Sequence, residues 1–460
     1  MVATGILTKC ETTLVDTIVN RERFPQGTLV RSDYEYSAYS WLSIYLHLML
    51  SLWAFATASA PTPPASRASW GPSAQGWTGK IKPFWFGANS SGLDNDATLA
   101  LMAKHTVAGY GWQTGGADHL GAAALGRGES FGGSAVEHAV DYMQSHGHGN
   151  VTIFQYRQVQ VALSLFAENL IAASNPANEH FWLHDTKTKD ICTGKQPWGT
   201  DDYYWNFTDS GAVDYWIEKA IGELTTDGGL VSNAPYSAVF FDEVDQSFCG
   251  YTQGSCNFTD FNLPQLQGSN NAMLTRLVGS LNAAGITPIL SMDNRMHATG
   301  DSLPCALSED DTVAALKGLT WVRFYENWPS SFWHKSGPDE NAAMVENAIL
   351  EGAAGIPTAL HIAGKCPAPA RTIVRPGPLG GPIEFAIASY LIVATPGTTL
   401  SISQGWHDKS FCWHSEFDVV YGTPLGPALR SGNYTFSRNY TRCNVEIDAG
   451  QKVGRVDLLE

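Results

Sequence analysis

The chain has 460 residues, 44% of them hydrophobic and 16% charged, and its formal net charge at pH 7 is −16. Nucleic-acid binding is disfavoured, because contacts to phosphates need clustered Lys and Arg and no basic run occurs in this sequence. The 15 Trp and 17 Tyr residues can fill a large core, or line a cleft that stacks on sugar rings.

The first sixty residues have the pattern of a targeting segment. Residues 41–55 form an apolar run without Lys, Arg, Asp or Glu, and the small residues Ala58, Ser59 and Ala60 follow it. The forty residues upstream are long for a signal peptide, whereas the run itself is short for a membrane span. We therefore expect residues 1–60 to be a signal peptide or an uncleaved signal anchor, and the protein to be secreted or anchored as a type II membrane protein.

Residues 61–79 are rich in Pro and Ser and are predicted to be a linker.

Two further features agree with an extracellular protein that carries N-glycans and disulfides. Seven cysteines follow the targeting segment, and we expect Cys249 and Cys256, which flank a Gly-containing turn, to pair. Six N-x-[ST] sequons occur, at Asn89, Asn150, Asn206, Asn257, Asn433 and Asn439.

From residue 80, short apolar segments alternate with stretches of helical period. Parallel strands that helices cover on both faces have this continuous apolar character. The predicted strands are Lys82–Ala88, Val107–Gln113, Val151–Arg157, Ser237–Val244, Thr287–Asp293, Thr320–Glu326, Ile356–Ile362 and Thr398–Gln404. The predicted helices are Asp94–His105, Ser134–His146, Ala162–Ala173, Ser210–Leu224, Asn270–Ala284, Glu340–Ala354 and Ile383–Ala394.

Eight such strands predict an α/β fold, a (β/α)₈ TIM barrel over residues 80–415. An open doubly wound sheet is the alternative, but no Gly-rich dinucleotide-binding loop follows a predicted strand. Residues 416–460 lack a helical period and alternate apolar positions between turn residues, which predicts a small all-β appendage.

Carboxylates follow three neighbouring predicted strands. Asp242 and Glu243 end the fourth strand, Asp293 ends the fifth and Glu326 ends the sixth. Barrel enzymes carry their reactive groups at the carboxyl ends of strands. Glycoside hydrolysis needs one carboxylic acid that protonates the leaving oxygen and a second carboxylate that attacks the anomeric carbon or activates water. We therefore predict Asp242 as nucleophile or base and Glu326 as general acid.

Other polar and aromatic residues at the strand ends are predicted to bind a carbohydrate substrate. Side chains alternate along a strand, so only one of Asp242 and Glu243 can face the barrel interior. His361 equally fits a hydrogen-bonded core histidine, and a neighbouring Arg157, Arg295 or Arg323 would keep a carboxylate ionised. The predicted substrate-binding residues are Glu243, Asp293, Trp85, Trp112, Tyr156, Arg157, Tyr325, Trp328, His361 and Trp406.

Several short motifs resemble the hypothetical glycosyl hydrolase family of TIM-barrel proteins, of the glycosyl-hydrolase-like family 15 type. They are the segments Tyr204–Asp209, Tyr236–Asp245, Tyr421–Leu425 and Phe436–Arg438. The resemblance implies a barrel fold, a carbohydrate substrate and an acidic residue at the end of strand four, where Asp242 stands.

Similarity to the α-galactosidase clan implies the second acidic residue at strand six, where Glu326 stands. The clan that pairs strands four and seven fits less well, because strand seven offers Ala359, Leu360 and His361.

Two other functions remain open at this stage. A non-catalytic carbohydrate-binding barrel would keep the aromatic residues without a converging pair of acids. A metal-dependent hydrolase would need three of Asp242, Asp245, Asp293, His361 and Glu326 within reach of one ion. No cofactor is expected, and the sequence has no Cys/His spacing typical of zinc sites.

Overall fold

A computed structural model describes residues 70–87, 94–111, 133–163, 166–195, 201–225, 237–244, 261–292, 307–326, 328–329, 337–363, 377–378, 383–403 and 413–459. The predicted targeting segment, residues 61–69 of the predicted linker, and the Cys249–Cys256 pair lie outside these residues. Within them, no helix is long and apolar enough to span a bilayer.

The strands in chain order are β1 (Phe84–Gly87), β2 (Val107–Tyr110), β3 (Thr152–Gln158), β4 (Val161–Ala162), β5 (Thr193–Lys195), β6 (Asp201–Tyr204), β7 (Ser237–Asp242), β8 (Thr287–Ser291), β9 (Val322–Tyr325), β10 (Thr358–Ala363), β11 (Gly377–Pro378), β12 (Thr399–Ser403), β13 (Leu429–Arg430), β14 (Thr435–Asn439), β15 (Cys443–Asp448) and β16 (Val453–Leu458). The helices are α1 (Gly71–Ala74), α2 (Asp96–Met102), α3 (Gly133–Ser145), α4 (Ala167–Ser174), α5 (Ser210–Thr225), α6 (Leu263–Ala283), α7 (Glu309–Ala315), α8 (Pro338–Ala353) and α9 (Glu384–Val393).

Eight parallel strands form one sheet in the order β1-β2-β3-β7-β8-β9-β10-β12. Its two edges meet where Pro83 bridges Leu400 in parallel, and the Leu400 N–H donates to the carbonyl of Lys82 at 2.9 Å. Each of the eight predicted strands overlaps one strand of this sheet. The predicted barrel is confirmed, and the open doubly wound sheet is wrong because the edge strands close on each other.

A three-stranded antiparallel sheet in the order β4-β6-β5 follows the third barrel strand and was not predicted. It accounts for the late start of α4, which begins at Ala167 and not at the predicted Ala162. Val161 and Ala162 are strand residues, paired with Tyr204 and Tyr203. Cross-strand pairing between segments forty residues apart therefore overrides the local helical preference of this segment.

Helix α7 was also not predicted, although its start has a recognisable signal. The Ser308 side chain caps the helix by accepting from the Asp311 N–H at 3.2 Å, and three acidic residues occupy the first turn. Both features stabilise a helix N-terminus. The helix is short, so it shows too few turns for a periodic pattern.

The predicted β appendage is confirmed as an antiparallel sheet in the order β11-β16-β15-β14-β13. It packs on α9, all of whose residues from Ala386 to Val393 are buried. Gly454 in β16 allows this close approach, because a Cβ at that position would lie 2.7 Å from the Cα of Phe385. The appendage and the barrel thus share the apolar helix between them.

Candidate active site

The inward face of the barrel is defined by a group of phenylalanine rings. In a parallel sheet, paired residues point to the same side, and the register pairs Phe86 with Gly109, Gly109 with Phe154, and Tyr156 with Phe240. A Cβ on Gly109 would lie 2.4 Å from the Phe154 ring, so glycine leaves the space that this ring fills. The rings that meet inside the barrel are Phe84, Phe86, Phe154, Phe240 and Phe324.

Asp242 and Glu326 each lie two residues beyond one of these inward rings. Phe240 and Phe324 contact each other edge to face, with ring centroids 4.8 Å apart. Since alternate residues share a face, both carboxylates are directed to the mouth of the barrel at the carboxyl ends of β7 and β9. Both side chains are half-buried.

Tyr156 lies between the carboxylates and the aromatic interior. Its hydroxyl donates to Oδ2 of Asp242 at 2.7 Å, and its ring stacks near Phe240. Burial raises the pKa of the Tyr156 phenol, and the nearby charges of Asp242, Glu243 and Glu326 raise it further. The phenol therefore stays protonated as a donor, and all three carboxylates act on this one group.

Asp242 receives a hydrogen bond on each carboxylate oxygen. Tyr156 donates to Oδ2, and the backbone N–H of Glu243 donates to Oδ1 at 3.0 Å. Hydrogen bonds to the charged form of a carboxyl group favour that form. Both hydrogen bonds therefore favour the ionised form of Asp242, the form that a nucleophile or base requires.

Glu243 faces a different set of partners. The side chain of Gln158 donates to its Oε2, and its charge adds to burial in raising the pKa of Tyr204. Gln158 pairs in register with Asp242, so the two strands hold these side chains next to each other. Tyr204 belongs to β6, which places the three-stranded sheet beside the barrel mouth.

The backbone around Glu326 is fixed by β10. Burial lowers the pKa of His361 to about 4, so the ring is neutral at pH 7. A carbonyl only accepts, so Nδ1–H donates to the carbonyl of Glu326, and Nε2 accepts from the Ser403 hydroxyl at 2.8 Å. The Trp328 N–H returns to the His361 carbonyl at 2.9 Å. His361 thus contacts the backbone that carries Glu326.

Four of the predicted substrate-binding residues pack against the elements around the barrel, three of them as outward-facing strand residues and Trp328 against one of these three. Trp85 is 1% exposed and packs against His105, with ring centroids 5.3 Å apart. Tyr325 donates to Glu351 at 2.7 Å, and Trp328 packs on the Tyr325 ring at 5.1 Å.

The fourth of these residues, Arg157, lies near Glu168 and over the Phe166 ring. Arg323 likewise pairs with Glu309, at 2.7 Å, and not with a carboxylate of the mouth. These strand residues therefore connect the barrel to its surrounding helices.

Gln158, Tyr204 and Ser403 at or near the mouth were not predicted. Gln158 could have been found from the sequence, because alternate residues of a strand share a face and Gln158 follows Phe154 and Tyr156 at that spacing. The position of Tyr204 near the mouth depends on the three-stranded sheet, which was not predicted. The predicted Trp112, Asp293 and Trp406, and also Asp245 and Arg295, lie outside the described residues. Within the described ranges, no three His, Cys, Asp or Glu side chains form a metal-binding group.

Comparisons with known proteins find neither a matching family model nor a matching curated protein. Among solved structures, the chain is similar to the α-N-acetylgalactosaminidase NagBb from Bifidobacterium bifidum at 12% identity and a TM-score of 0.43, over 85% of this chain and 59% of that one. The α-galactosidase TtGalA from Thermus thermophilus gives 13% identity and a TM-score of 0.41, over 82% and 68%.

A D-psicose 3-epimerase from Clostridium cellulolyticum H10 gives 10% identity and a TM-score of 0.33, over 70% of this chain and 84% of that one. This chain spans 59% of the length of NagBb. At scores this low, the likenesses carry no argument about activity. The membership in the hypothetical glycosyl hydrolase family therefore stays a prediction.

Proposed function

We propose that this protein is a glycoside hydrolase that cleaves O-glycosidic bonds of a poly- or oligosaccharide with Asp242 and Glu326 as its carboxylate pair. The observation that carries the proposal is the position of the two carboxylates at the ends of β7 and β9, each two residues beyond an inward-facing ring. Both carboxylates lie near enough to Tyr156 to raise the pKa of its phenol. Two carboxyl groups at one end of a barrel are the minimum that glycoside hydrolysis requires.

The different surroundings of the two carboxylates support different roles. Asp242 accepts from Tyr156 and from the Glu243 N–H, which favours the ionised form that attacks the anomeric carbon or activates water. Glu326 shares the half-buried mouth with Asp242, and a like charge on Asp242 favours a protonated Glu326. In this proposal Glu326 protonates the leaving oxygen and Asp242 acts on the opposite side of the sugar.

The proposed activity is tested by offering the protein a panel of aryl α- and β-glycosides and polysaccharides. We expect Asp242→Asn and Glu326→Gln each to lower turnover by at least about a hundredfold, as for loss of an acid–base group. Both variants keep the shape of the side chain, so folding should be preserved, as checked by circular dichroism.

Glu346→Gln is the matched control, because Glu346 lies exposed on α8 in a surface ion pair with Arg430. This control should hydrolyse the substrates at the wild-type rate. If the protein binds sugars but hydrolyses no member of the panel, the proposed enzyme function is wrong and a carbohydrate-binding barrel is favoured. Activity that a chelator abolishes and a divalent metal restores would favour the metal-dependent alternative.

Secretion, N-glycans and disulfides belong to the same proposal. Asn150, Asn433 and Asn439 are exposed, as glycan acceptors must be. Cys443 is a buried free thiol, which fits an odd number of cysteines after the targeting segment.

A further inference from the structure

The segment before β1, residues 70–79, packs on the amino end of the barrel, opposite the mouth; we call it the strap. Trp70 is 1% exposed, and its indole N–H donates to the carbonyl of Gly397 at 2.8 Å. Gly397 precedes β12, and a Cβ at this position would lie 2.5 Å from the Ser73 hydroxyl oxygen and 2.8 Å from Cβ of Pro357. The strap therefore begins in close contact with the loop before β12.

The side chain of Lys82 binds the strap and this loop together. Its ammonium donates to the carbonyls of Pro72 and Gly76 in the strap, and to the carbonyl of Pro396 in the loop at 2.7 Å. Burial lowers the pKa of Lys82 to about 8, so the group is protonated at pH 7 and has three N–H donors. All three donors are thus used, two of them on the strap.

The backbone of Lys82 lies at the closing seam of the barrel. Its carbonyl accepts from the Leu400 N–H at 2.9 Å, next to the bridge between Pro83 and Leu400. Its own N–H donates to the Tyr390 hydroxyl of α9 at 3.3 Å. The residue that helps to close β1 on β12 through its backbone therefore holds the strap across the same seam through its side chain.

The other end of the strap is held by the segment that leads into the β appendage. The carbonyl of Gly79 accepts from the Tyr421 N–H at 2.7 Å, and the indole N–H of Trp77 donates to the carbonyl of Gly422 at 2.8 Å. The Trp77 ring also lies near Tyr440, with ring centroids 5.9 Å apart. The strap thus contacts the barrel seam at one end and the appendage at the other.

We propose that the strap is part of the folded domain and holds the barrel seam closed with Lys82 as its anchor, so that a proteolytic cut that separates the domain from the preceding segment has to fall before Trp70. A cut inside the strap would weaken the hold of its carbonyls on Lys82, and a buried ammonium without acceptors is costly. This inference concerns the amino end of the barrel, so it does not depend on the proposed glycosidase activity.

The anchor is tested in the full-length protein by Lys82→Met, which keeps a side chain of similar length without N–H donors. Hydrogen–deuterium exchange in a peptide that covers residues 70–79 should become at least about tenfold faster, because the hydrogen bonds to a charged group are lost. The melting temperature should also fall. Lys80→Met is the matched control, because Lys80 is exposed two residues away, and it should leave both values unchanged.

A second measurement tests the strap even if Lys82→Met does not fold. A recognition site for a specific protease is inserted into the full chain either between residues 69 and 70 or between Gly79 and Lys80, and each protein is cut after folding. The first cut should leave the melting temperature of the uncut protein unchanged. The second should lower it by several degrees, because only non-covalent contacts then tie the strap to the barrel.

Each part of the inference has an outcome that would overturn it. Unchanged exchange in the peptide of residues 70–79 of Lys82→Met would exclude Lys82 as the anchor. Equal changes in melting temperature after the two cuts, or a fall after the cut before Trp70, would contradict a folded domain that begins with the strap. Neither result depends on whether the protein hydrolyses a glycoside.

Discussion

The neutral imidazole of His361 is the residue that connects Glu326 to the end of the barrel. Its Nδ1–H contacts the Glu326 carbonyl and its Nε2 accepts from Ser403. Burial lowers the pKa of His361 to about 4, and it also lowers the pKa of His105, behind the barrel wall, to about 4. Protonation of His361 would remove the acceptor for the Ser403 hydroxyl, whereas Nδ1–H would still donate to the Glu326 carbonyl.

The free energy of unfolding should therefore fall as pH drops from about 6.5 to about 4. In this window the unfolded chain protonates both histidines and the native protein does not, so the unfolded state binds more protons and gains stability. His361→Gln should reduce the slope of unfolding free energy against pH, by at most about 1.4 kcal/mol per pH unit. Chemical denaturation at several pH values measures this slope.

The control for this experiment is His146→Gln, since His146 is exposed at the end of α3. It should leave the slope as in the wild type. An identical slope in His361→Gln and the wild type would contradict a neutral, buried His361.

The location of Asp242 and Glu326 at the ends of two barrel strands could be predicted from sequence, because it needs no knowledge of packing. The sequence alone could not show that Trp85, Arg157 and Tyr325 point away from the barrel interior. Apolar strands that are buried on both faces show no polar alternation, so the sequence does not reveal which parity faces the interior. The register of the Phe240 and Phe324 strands supplies that information.

At the scale of elements, Arg323 joins β9 to two helices. It contacts Glu309 of α7 at 2.7 Å, the carbonyl of Met292 at 2.7 Å, and Glu351 of α8 at 3.9 Å. Arg323 is 1% exposed and the two glutamates are also buried. Because β9 leads directly into Glu326, this network anchors the strand that carries the proposed general acid.

Arg323→Leu should lower the free energy of unfolding by about 3–5 kcal/mol, because it leaves two buried carboxylates without their cation. The matched control is Arg276→Leu, which breaks an exposed pair with Asp214. Exposed pairs are worth at most about 1 kcal/mol. Urea denaturation compares the two variants. Equal losses would contradict a buried network at β9.

The elements that were predicted and those that were missed differ in how their structure arises. Barrel strands and long helices have local patterns, and all eight strands were located. The sheet of β4, β5 and β6 consists of strands of two to four residues, whose pairing joins distant parts of the chain. Strands this short give too few positions for an alternating pattern.

At the scale of the whole molecule, closure of the barrel brings the ends of β3, β7, β9, β10 and β12 to one mouth. The closing contact between Pro83 and Leu400 is remote in sequence, and so is the contact of Tyr156 with Asp242. The fold class predicts that strand ends meet. It does not predict which of the side chains there contact each other, because those contacts depend on register.

The central claim is that Asp242 and Glu326 are a catalytic pair with different roles. The most direct test compares hydrolysis of a dinitrophenyl glycoside with that of the matching phenyl glycoside. A good leaving group needs no proton, so Glu326→Gln should hydrolyse the dinitrophenyl substrate at near the wild-type rate and lose activity on the phenyl one. Asp242→Asn should lose activity on both. Equal losses on the two substrates in Glu326→Gln, wild-type hydrolysis of the phenyl glycoside by Glu326→Gln, or wild-type rates in Asp242→Asn would contradict this account.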